Sequence, residues 1–195
     1  MTDAAWIDAA LTSARPQAIG ALLRYFRDLD TAEEAFQNAC LKALTAWPKN
    51  GPPRDPAAWL IFVGRNAAID EVRRRRKQAP LPDDDAISDL DDAEHGDAEG
   101  ALVDKLDSEQ YRDDILRLLF VCSHPALPPT QQIALALRIV CGLTVRQIAR
   151  AFLVGEAAME QRITRAKSRI AGANVPFETP GAREWAERLA AVAAM

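Results

Sequence analysis

Two short amphipathic segments between Thr144 and Ile170 constrain the fold of this chain more than any other feature. In the second segment the apolar residues recur at steps of four, three and four, which places them on one side of a helix. They are Met159, Ile163, Ala166 and Ile170, and in the first segment Val145, Ile148, Ala149 and Phe152 also have helical spacing. Gly155 lies between the segments and is expected to form the turn. The pattern predicts a helix-turn-helix whose two apolar stripes are buried.

The side of the second segment opposite its apolar stripe is small and polar, as a surface laid in a DNA major groove should be. It carries Ala157, Gln161, Thr164, Arg165 and Ser168. Six basic residues against two acidic ones between Arg146 and Arg169 favour contacts with phosphates. The same pattern also fits an ordinary helical hairpin with a solvated face, so the rest of the chain must decide between the two interpretations.

The composition predicts an all-α protein. Hydrophobic residues make up 49% of the 195 residues and aromatic residues only 6%, with abundant Ala, Leu and Arg. No run of eighteen apolar residues is present that could span a membrane, and the first ten residues lack the basic start and apolar stretch of a secretion signal. We therefore expect a cytoplasmic protein with no membrane partner.

The cysteines and histidines favour neither a disulfide framework nor a metal site. Cys40, Cys122 and Cys141 are far apart among apolar neighbours, so we expect reduced core thiols. Cys122 and His124 form a C-x-H pair that could ligate zinc, but the only other histidine, His95, lies in an acidic stretch. The sequence has no glycine-rich phosphate loop, histidine-carboxylate cluster or nucleophile elbow, so we expect no enzyme activity, metal or cofactor.

An acidic segment divides the chain into two basic lobes. The net charge is -4, yet fourteen acidic and only two basic residues lie between Asp83 and Asp114. Such a segment cannot bury enough apolar surface to fold alone, so residues 79–110 are expected to form a flexible linker. The linker could be a plain tether, or it could imitate nucleic acid, either by lying in a positively charged channel of a partner or by masking the basic lobes.

Three helices are expected before the linker. The first covers Ala18–Arg27, and the second begins with a cap at Asp30 or Thr31 and ends near Trp47. The third begins after a cap at Asp55 and ends near Lys77. Prolines and a glycine between Trp47 and Arg54 predict a stiff loop. The inner face of the second helix is expected to hold Ala32, Ala35, Phe36, Ala39, Cys40 and Ala43.

The third helix combines Trp59 and Phe62 with the basic run RRRRK at Arg73–Lys77. Aromatic rings can stack on unpaired bases while basic side chains neutralise the backbone, which suits a nucleic-acid strand. Alternatively, both rings belong to the core and the basic run only ends the helix favourably. For Trp59 alone, the core is the better interpretation.

Two segments in a fixed order resemble a known family. DTAEEAFQNACLKAL (Asp30–Leu44) and WPKNGPPRDPAAWLIFVGRNAAIDEVRRRR (Trp47–Arg76), followed by an acidic linker and a helix-turn-helix, closely resemble bacterial RNA polymerase sigma factors of the extracytoplasmic-function (ECF) group. The resemblance covers Ala18–Gly172. It implies a region 2-like helical domain in residues 1–78 and a region 4-like helix-turn-helix domain in residues 111–172.

The resemblance also implies the partners and the residues that bind them. Such factors bind the β′ clamp helices and the β flap of core RNA polymerase, melt the minus-ten element of promoter DNA and read its minus-thirty-five element. Core polymerase would bind Glu34, Gln37, Asn38, Leu41 and Lys42, where Asn38 replaces the usual acidic residue. The minus-ten strand would contact Trp47, Lys49, Asn50, Asn66, Asp70, Arg73 and Arg74, and the loop before Asp55 would receive a flipped-out base. The minus-thirty-five element would contact Glu160, Gln161, Thr164, Arg165, Lys167 and Arg169.

The end of the chain departs from this pattern. Residues 173–195 lie beyond region 4, and Gly181–Ala194 has the pattern of a helix with an apolar face of Trp185, Leu189 and Val192 and little to pack against. This resembles a subgroup with a large C-terminal helical extension, of which the chain would hold the first turns. That extension or an anti-sigma factor would act as the regulator. The alternative function, a stand-alone helix-turn-helix regulator, leaves the first lobe unexplained.

Overall fold

The computed structural model describes residues 3–78 and 109–173, together with residues 177, 181, 185, 189, 190, 192 and 193. The first lobe contains α1 (Asp3–Phe26), α2 (Leu29–Asn50) and α3 (Pro56–Gln78). The second lobe contains α4 (Glu109–Cys122), α5 (Pro129–Ile139), α6 (Val145–Ala151) and α7 (Glu156–Gly172). The described residues include no strand, and the predicted all-α fold is confirmed. The predicted linker lies outside the described residues except for its last two, which already belong to α4.

Three helices pack pairwise to form the first lobe. The inner face of α2 is buried as predicted, with Cys40 half-buried at its edge. Close packing of α2 on α3 depends on Gly64, because a Cβ there would lie 2.9 Å from the carbonyl oxygen of Ala35. The two helices therefore approach more closely than any other residue at position 64 would allow.

The helix boundaries of the first lobe differ from the sequence prediction. The first helix begins at Asp3 rather than Ala18 and contains Pro16, since buried residues on both sides of the proline hold it in the core. The cap of α2 is Asp28, whose Oδ1 accepts from the backbone N–H of Thr31 at 2.7 Å. The same helix continues past Pro48 to Asn50, so the predicted loop shrinks to residues 51–55. The predicted cap at Asp55 is confirmed, because its Oδ1 accepts from Ala57 and Ala58.

A helix-turn-helix forms in the second lobe with both apolar stripes facing inward. All four stripe residues of α7 are buried, and so are Ile148 and Ala149 of α6. The N-terminus of α6 is fixed by a capping box in which Thr144 and Gln147 bond each other's backbone N–H. In the turn, Leu153 has the left-handed conformation with φ 54, whereas Gly155 has φ -68 and precedes α7 as its cap. The predicted role of Gly155 as the residue that makes the turn is therefore wrong.

The two lobes pack against each other. Helix α1 packs on α4, and α2 touches α7, so that buried residues of both lobes form one continuous apolar cluster. Gly20 permits the close approach of α1 and α4, because a Cβ at this position would lie 3.0 Å from the backbone oxygen of Asp114. The sequence predicted two lobes joined by a linker, and its helical patterns did not indicate that α1 packs directly on α4.

Candidate nucleic-acid and polymerase interfaces

Helix α7 presents a polar face to solvent opposite its buried stripe. Glu160, Gln161, Thr164 and Arg165 are all exposed on that face. The guanidinium of Arg165 lies 3.5 Å from Oε1 of Gln161, one helical turn earlier, so the two side chains form a single hydrogen-bonding unit. Arg169 is also exposed and lies 3.5 Å from Oε1 of Gln131 on α5. This face offers both donors and acceptors to the edges of base pairs.

Lys167 differs from the other residues of α7 that the sequence assigned to DNA. Its side chain is only 20% exposed and is directed at the first lobe, where Nζ lies 2.7 Å from Oδ1 of Asp30 and also contacts Glu33. Burial alone would lower the pKa of Lys167, but the hydrogen bonds to Asp30 and Glu33 outweigh burial and raise the pKa. The ammonium group is therefore charged and occupied by two carboxylates.

The outward face of α2 carries the five residues assigned to core polymerase. Glu34, Gln37, Asn38, Leu41 and Lys42 are all exposed. Leu41 is 63% exposed, and Leu44, three residues later, is 52% exposed. Leu44 was not among the predicted residues, although its i+3 spacing from Leu41 is the pattern that places both leucines on one face. Two exposed leucines among polar side chains form an apolar centre of the kind that protein partners cover.

Trp47 lies in the core rather than on the proposed DNA surface. It is 2% exposed, its ring stacks on Trp6 at 5.8 Å between centroids, and the edge of Trp59 meets it at 5.3 Å. Because a buried ring cannot stack on a base, we remove Trp47 from the proposed minus-ten contacts. Trp59 belongs to the same cluster, in agreement with its expected place in the core.

The remaining residues assigned to the minus-ten strand lie in the last turn of α2 and along α3. Lys49 and Asn50 are exposed in the last turn of α2, and Asn66 is half-buried on α3. Asp70, Arg73 and Arg74 lie farther along α3, and their side chains lie outside the described part of the structure.

An exposed aromatic ring that was not among the predicted site residues lies beside Arg65 of α3. Tyr25 at the end of α1 is 52% exposed, and the guanidinium of Arg65 lies 5.4 Å from its ring centroid. A planar cation held against an exposed ring resembles the stacking surfaces that bind unpaired bases. No sequence signal distinguished Tyr25, because only the packing of α1 on α3 places it next to Arg65.

Of the three cysteines, Cys40 and Cys122 are at least partly buried and Cys141 is exposed, while His124 lies in the turn between α4 and α5. Cys122 is fully buried, and Nδ1 of His124 accepts from the backbone N–H of Ala126 at 3.1 Å, as expected for a turn histidine. Burial raises the pKa of Cys40 to about 11. Cys141 is exposed, so its predicted place in the core is wrong.

Within the described ranges the protein has neither a metal-binding cluster nor a membrane-spanning helix. Residues 3–78 and 109–173 contain no group of three His, Cys, Asp or Glu side chains arranged to hold a metal ion. None of the helices described in these ranges is both long and apolar enough to cross a membrane.

Comparison with known proteins matches both lobes. Residues 11–78 match the family described as Sigma-70 region 2, and residues 117–170 match Sigma-70, region 4. An uncharacterized protein of Rhizobium meliloti (strain 1021) is 71% identical over all 195 residues. The chain spans 45% of that protein's length. The first match thus falls on α1–α3 and the second on α4–α7.

Proposed function

The chain belongs to the sigma-70 family of transcription initiation factors, and we propose that it is an alternative sigma factor of the ECF group. Family membership brings promoter recognition and interaction with core RNA polymerase and promoter DNA. The ECF assignment is supported by the short interval between the two matches, which covers only residues 79–116. The location we propose is the cytoplasm, because core polymerase and promoter DNA are found there.

Recognition of the minus-thirty-five duplex is assigned to α7. The observation that carries this proposal is the exposed face with Gln161, Thr164 and Arg165, directly opposite a stripe that is buried throughout its length. A helix anchored along one side and polar along the other fits the major groove. Arg165 is the proposed guanine reader, and Gln161 is well placed to orient it because the two side chains are 3.5 Å apart.

Recognition and melting of the minus-ten element are assigned to α3 and to the end of α2. Lys49 and Asn50 flank residues 51–55, the segment proposed to receive a flipped base, and Asn66, Asp70, Arg73 and Arg74 continue the proposed contacts along α3. We add Tyr25 and Arg65 to this set as a stacking surface, since the ring is exposed and its cation belongs to the residue that precedes Asn66 in α3.

Binding of the β′ clamp helices is assigned to the outward face of α2. Its support is the exposed pair Leu41 and Leu44, surrounded by the polar residues of the predicted set. The β flap is the proposed second polymerase contact, made by the second lobe. For regulation we propose sequence beyond region 4, because Trp185 packs edge-on against Phe120 at 5.4 Å between ring centroids and the chain spans only 45% of the Rhizobium meliloti relative. An anti-sigma factor is the alternative regulator.

In vitro transcription with core enzyme and a genomic promoter library tests the proposal. We expect core enzyme plus this chain to initiate from a small set of promoters that share two sequence elements, and core enzyme alone to initiate from none of them. A stand-alone regulator would instead bind a palindromic duplex without core enzyme and would not co-purify with it. Failure to co-purify with core enzyme, or transcription without promoter selection, would exclude the sigma-factor assignment.

A further inference from the structure

One residue of α7, the helix proposed to read the minus-thirty-five element, forms ion pairs with the first lobe. Lys167 belongs to α7, yet its ammonium group is held by Asp30 and Glu33 at the start of α2. Lys167 also belongs to the set that the sequence assigned to the minus-thirty-five element, where a lysine would neutralise a promoter phosphate. The same charge cannot serve both partners at once, so the contact with α2 and the contact with DNA exclude each other.

Glu33 connects this contact to the rest of the interface between the lobes. Its side chain is 6% exposed, and its second carboxylate oxygen, Oε1, lies 3.4 Å from the guanidinium of Arg15 on α1. Arg15 also donates to the backbone oxygens of Ile139 at 3.0 Å and Arg138 at 3.2 Å, at the end of α5. Glu33 thus lies between two cations. Arg15 belongs to the first lobe and donates to the second, and Lys167 belongs to the second lobe.

A second buried carboxylate lies farther along the same interface. Asp114 of α4 has a fully buried side chain, 3.0 Å from the guanidinium of Arg117 on its own helix and 3.4 Å from that of Arg24 on α1. Burial raises the pKa of Asp114, and the two arginines oppose this effect. The ion pair between Arg24 and Asp114 adds to the apolar packing of α1 on α4.

The docked arrangement is too compact to read both promoter elements. Their names place them about 25 base pairs apart, which is roughly 85 Å along a duplex at about 3.4 Å per base pair. Helices α2 and α3, of 22 and 23 residues, are each about 35 Å long and pack side by side. Since Lys167 touches the start of α2, every point of α3 lies within about 50 Å of it. The lobes must therefore separate before α7 and α3 can bind one promoter.

We propose that this docked arrangement is a closed state held by Lys167, Glu33 and Arg15, and that Lys167 exchanges the carboxylates of α2 for a phosphate of the minus-thirty-five element when the lobes separate. The inference rests on the proposed function for its second half only. Docking through Glu33 is a property of the free chain, and it can be measured without polymerase or DNA.

Glu33→Gln is the variant that tests the closed state, because it removes the buried charge while keeping the shape of the side chain. Fluorescent dyes on Thr45→Cys in α2 and Ala126→Cys in the turn before α5, with Cys141→Ser to remove the exposed native thiol, report the distance between the lobes. Glu33→Gln should lower energy transfer, since two cations lose their shared carboxylate. Asp113→Asn is the matched control, because it also removes one acidic charge but breaks a pair with Arg117 that stays within α4.

Binding of a minus-thirty-five duplex, taken from the promoters recovered by transcription, tests the exchange. By freeing Lys167, Glu33→Gln should tighten binding by up to about tenfold, the limit reached if a tenth of the chain is open at rest and the docked form does not bind the duplex. Lys167→Ala should lower energy transfer less than Glu33→Gln, because Arg15 keeps its carboxylate partner, and it should give a smaller gain in affinity. A plot of log affinity against log salt falls with increasing salt. This fall should be shallower by about 0.9 for Lys167→Ala than for Glu33→Gln, since one phosphate contact is lost.

Gly20→Ala supplies an independent test of the closed state, because its Cβ would lie 3.0 Å from the backbone oxygen of Asp114 and weaken the packing of α1 on α4 without altering any charge. Unchanged energy transfer in both Glu33→Gln and Gly20→Ala, with circular dichroism showing folded helices, would overturn the closed state. Lower energy transfer with unaltered duplex affinity would show that docking does not compete with DNA, and equal salt slopes would remove Lys167 from the DNA contacts. If no promoter is recovered, the proposed function fails while energy transfer still decides whether the lobes dock.

Discussion

Burial decides what individual charged and aromatic residues do in this protein. Arg165 is exposed and available to a ligand, whereas Glu33, only one residue before the exposed Glu34, is buried between cations. The difference arises because Glu33 is on the side of α2 that meets α1 and α7. Trp47 shows the same effect, since its aromatic character suits DNA but its position in the cluster with Trp6 and Trp59 removes it from solvent.

Substitution of Arg165 should change sequence preference rather than affinity alone. An arginine that bonds guanine O6 and N7 provides about 1–3 kcal/mol of discrimination, so Arg165→Ala should relax the preference at one position of the minus-thirty-five element. Arg169→Ala is the comparison, and it should weaken all duplexes about equally because Arg169 flanks the polar face. Binding to a library of single-base variants measures both. An equal loss for every variant with Arg165→Ala would make Arg165 a backbone contact.

The three thiols should differ in reactivity and in the effect of pH. Cys141 is exposed and should be alkylated first, while Cys122 should react only after unfolding. Because the pKa of Cys40 is raised to about 11, its thiol is protonated at neutral pH. Alkylation of Cys40 should therefore increase about tenfold per pH unit from pH 7 to 9 without a plateau. Mass spectrometry of iodoacetamide-treated protein measures each site, and a plateau for Cys40 below pH 9 would contradict the raised pKa.

Helix α2 has a buried face that packs on α1 and α3 and an exposed face proposed to bind core polymerase. Residues of either face can be substituted without changing the other. The inner face is rich in alanine and lets α1 and α3 approach closely, while the outer face holds the exposed leucines. Because the inner face anchors α2 in the core, Leu41 and Leu44 stay exposed on the outer face. Changes at the two faces should accordingly affect different measurements.

Gln37→Arg with Leu41→Asp should weaken binding of core polymerase by about 2 kcal/mol or more, since interface centres concentrate binding energy. The lobe should stay folded because both residues are exposed. Thr12→Asp, at an exposed position of α1 outside the proposed surface, serves as the control. Fluorescence anisotropy with labelled core enzyme measures the affinity. Wild-type affinity in the folded double variant would refute the assignment of this face.

Gly64→Ala should destabilise the first lobe by about 1–3 kcal/mol, because its Cβ would lie 2.9 Å from the Ala35 carbonyl oxygen and force α3 away from α2. Gly172→Ala makes the same chemical change where a Cβ would have no neighbour within 4 Å, so it should be neutral or slightly stabilising. Urea unfolding followed by circular dichroism compares the two variants. Equal stability of the two variants would show that the interface between α2 and α3 accommodates a Cβ at position 64.

At the scale of the whole molecule, the two lobes behave as one packed body in the closed state. Their buried residues form a continuous cluster, and buried charges join α1 and α2 to α4, α5 and α7. Separation of the lobes therefore exposes apolar surface as well as breaking ion pairs. The closed state is consequently expected to unfold cooperatively.

Urea unfolding should give coincident transitions by tryptophan fluorescence and by circular dichroism. Trp6, Trp47 and Trp59 report on the first lobe, so Trp185→Phe restricts the fluorescence signal to that lobe, whereas circular dichroism reports on the helices of both. Coincidence is expected because each lobe covers apolar surface of the other. Two separated transitions by circular dichroism, one of them absent from fluorescence, would show that the lobes unfold independently.

The sequence alone determined the helical class, the helix-turn-helix, the inner face of α2 and the polar face of α7. These features follow from spacing along a single helix, where periodicity reports directly which side is apolar. Three features could not be inferred from the spacing of residues along a helix and were decided by the tertiary structure. They are the burial of Trp47 and Glu33, the extension of α1 through Pro16, and the ion pairs between Lys167 and α2. Each depends on contacts between residues far apart in the chain. Their energies come from packing and from charges brought together by the fold, so local sequence cannot reveal them.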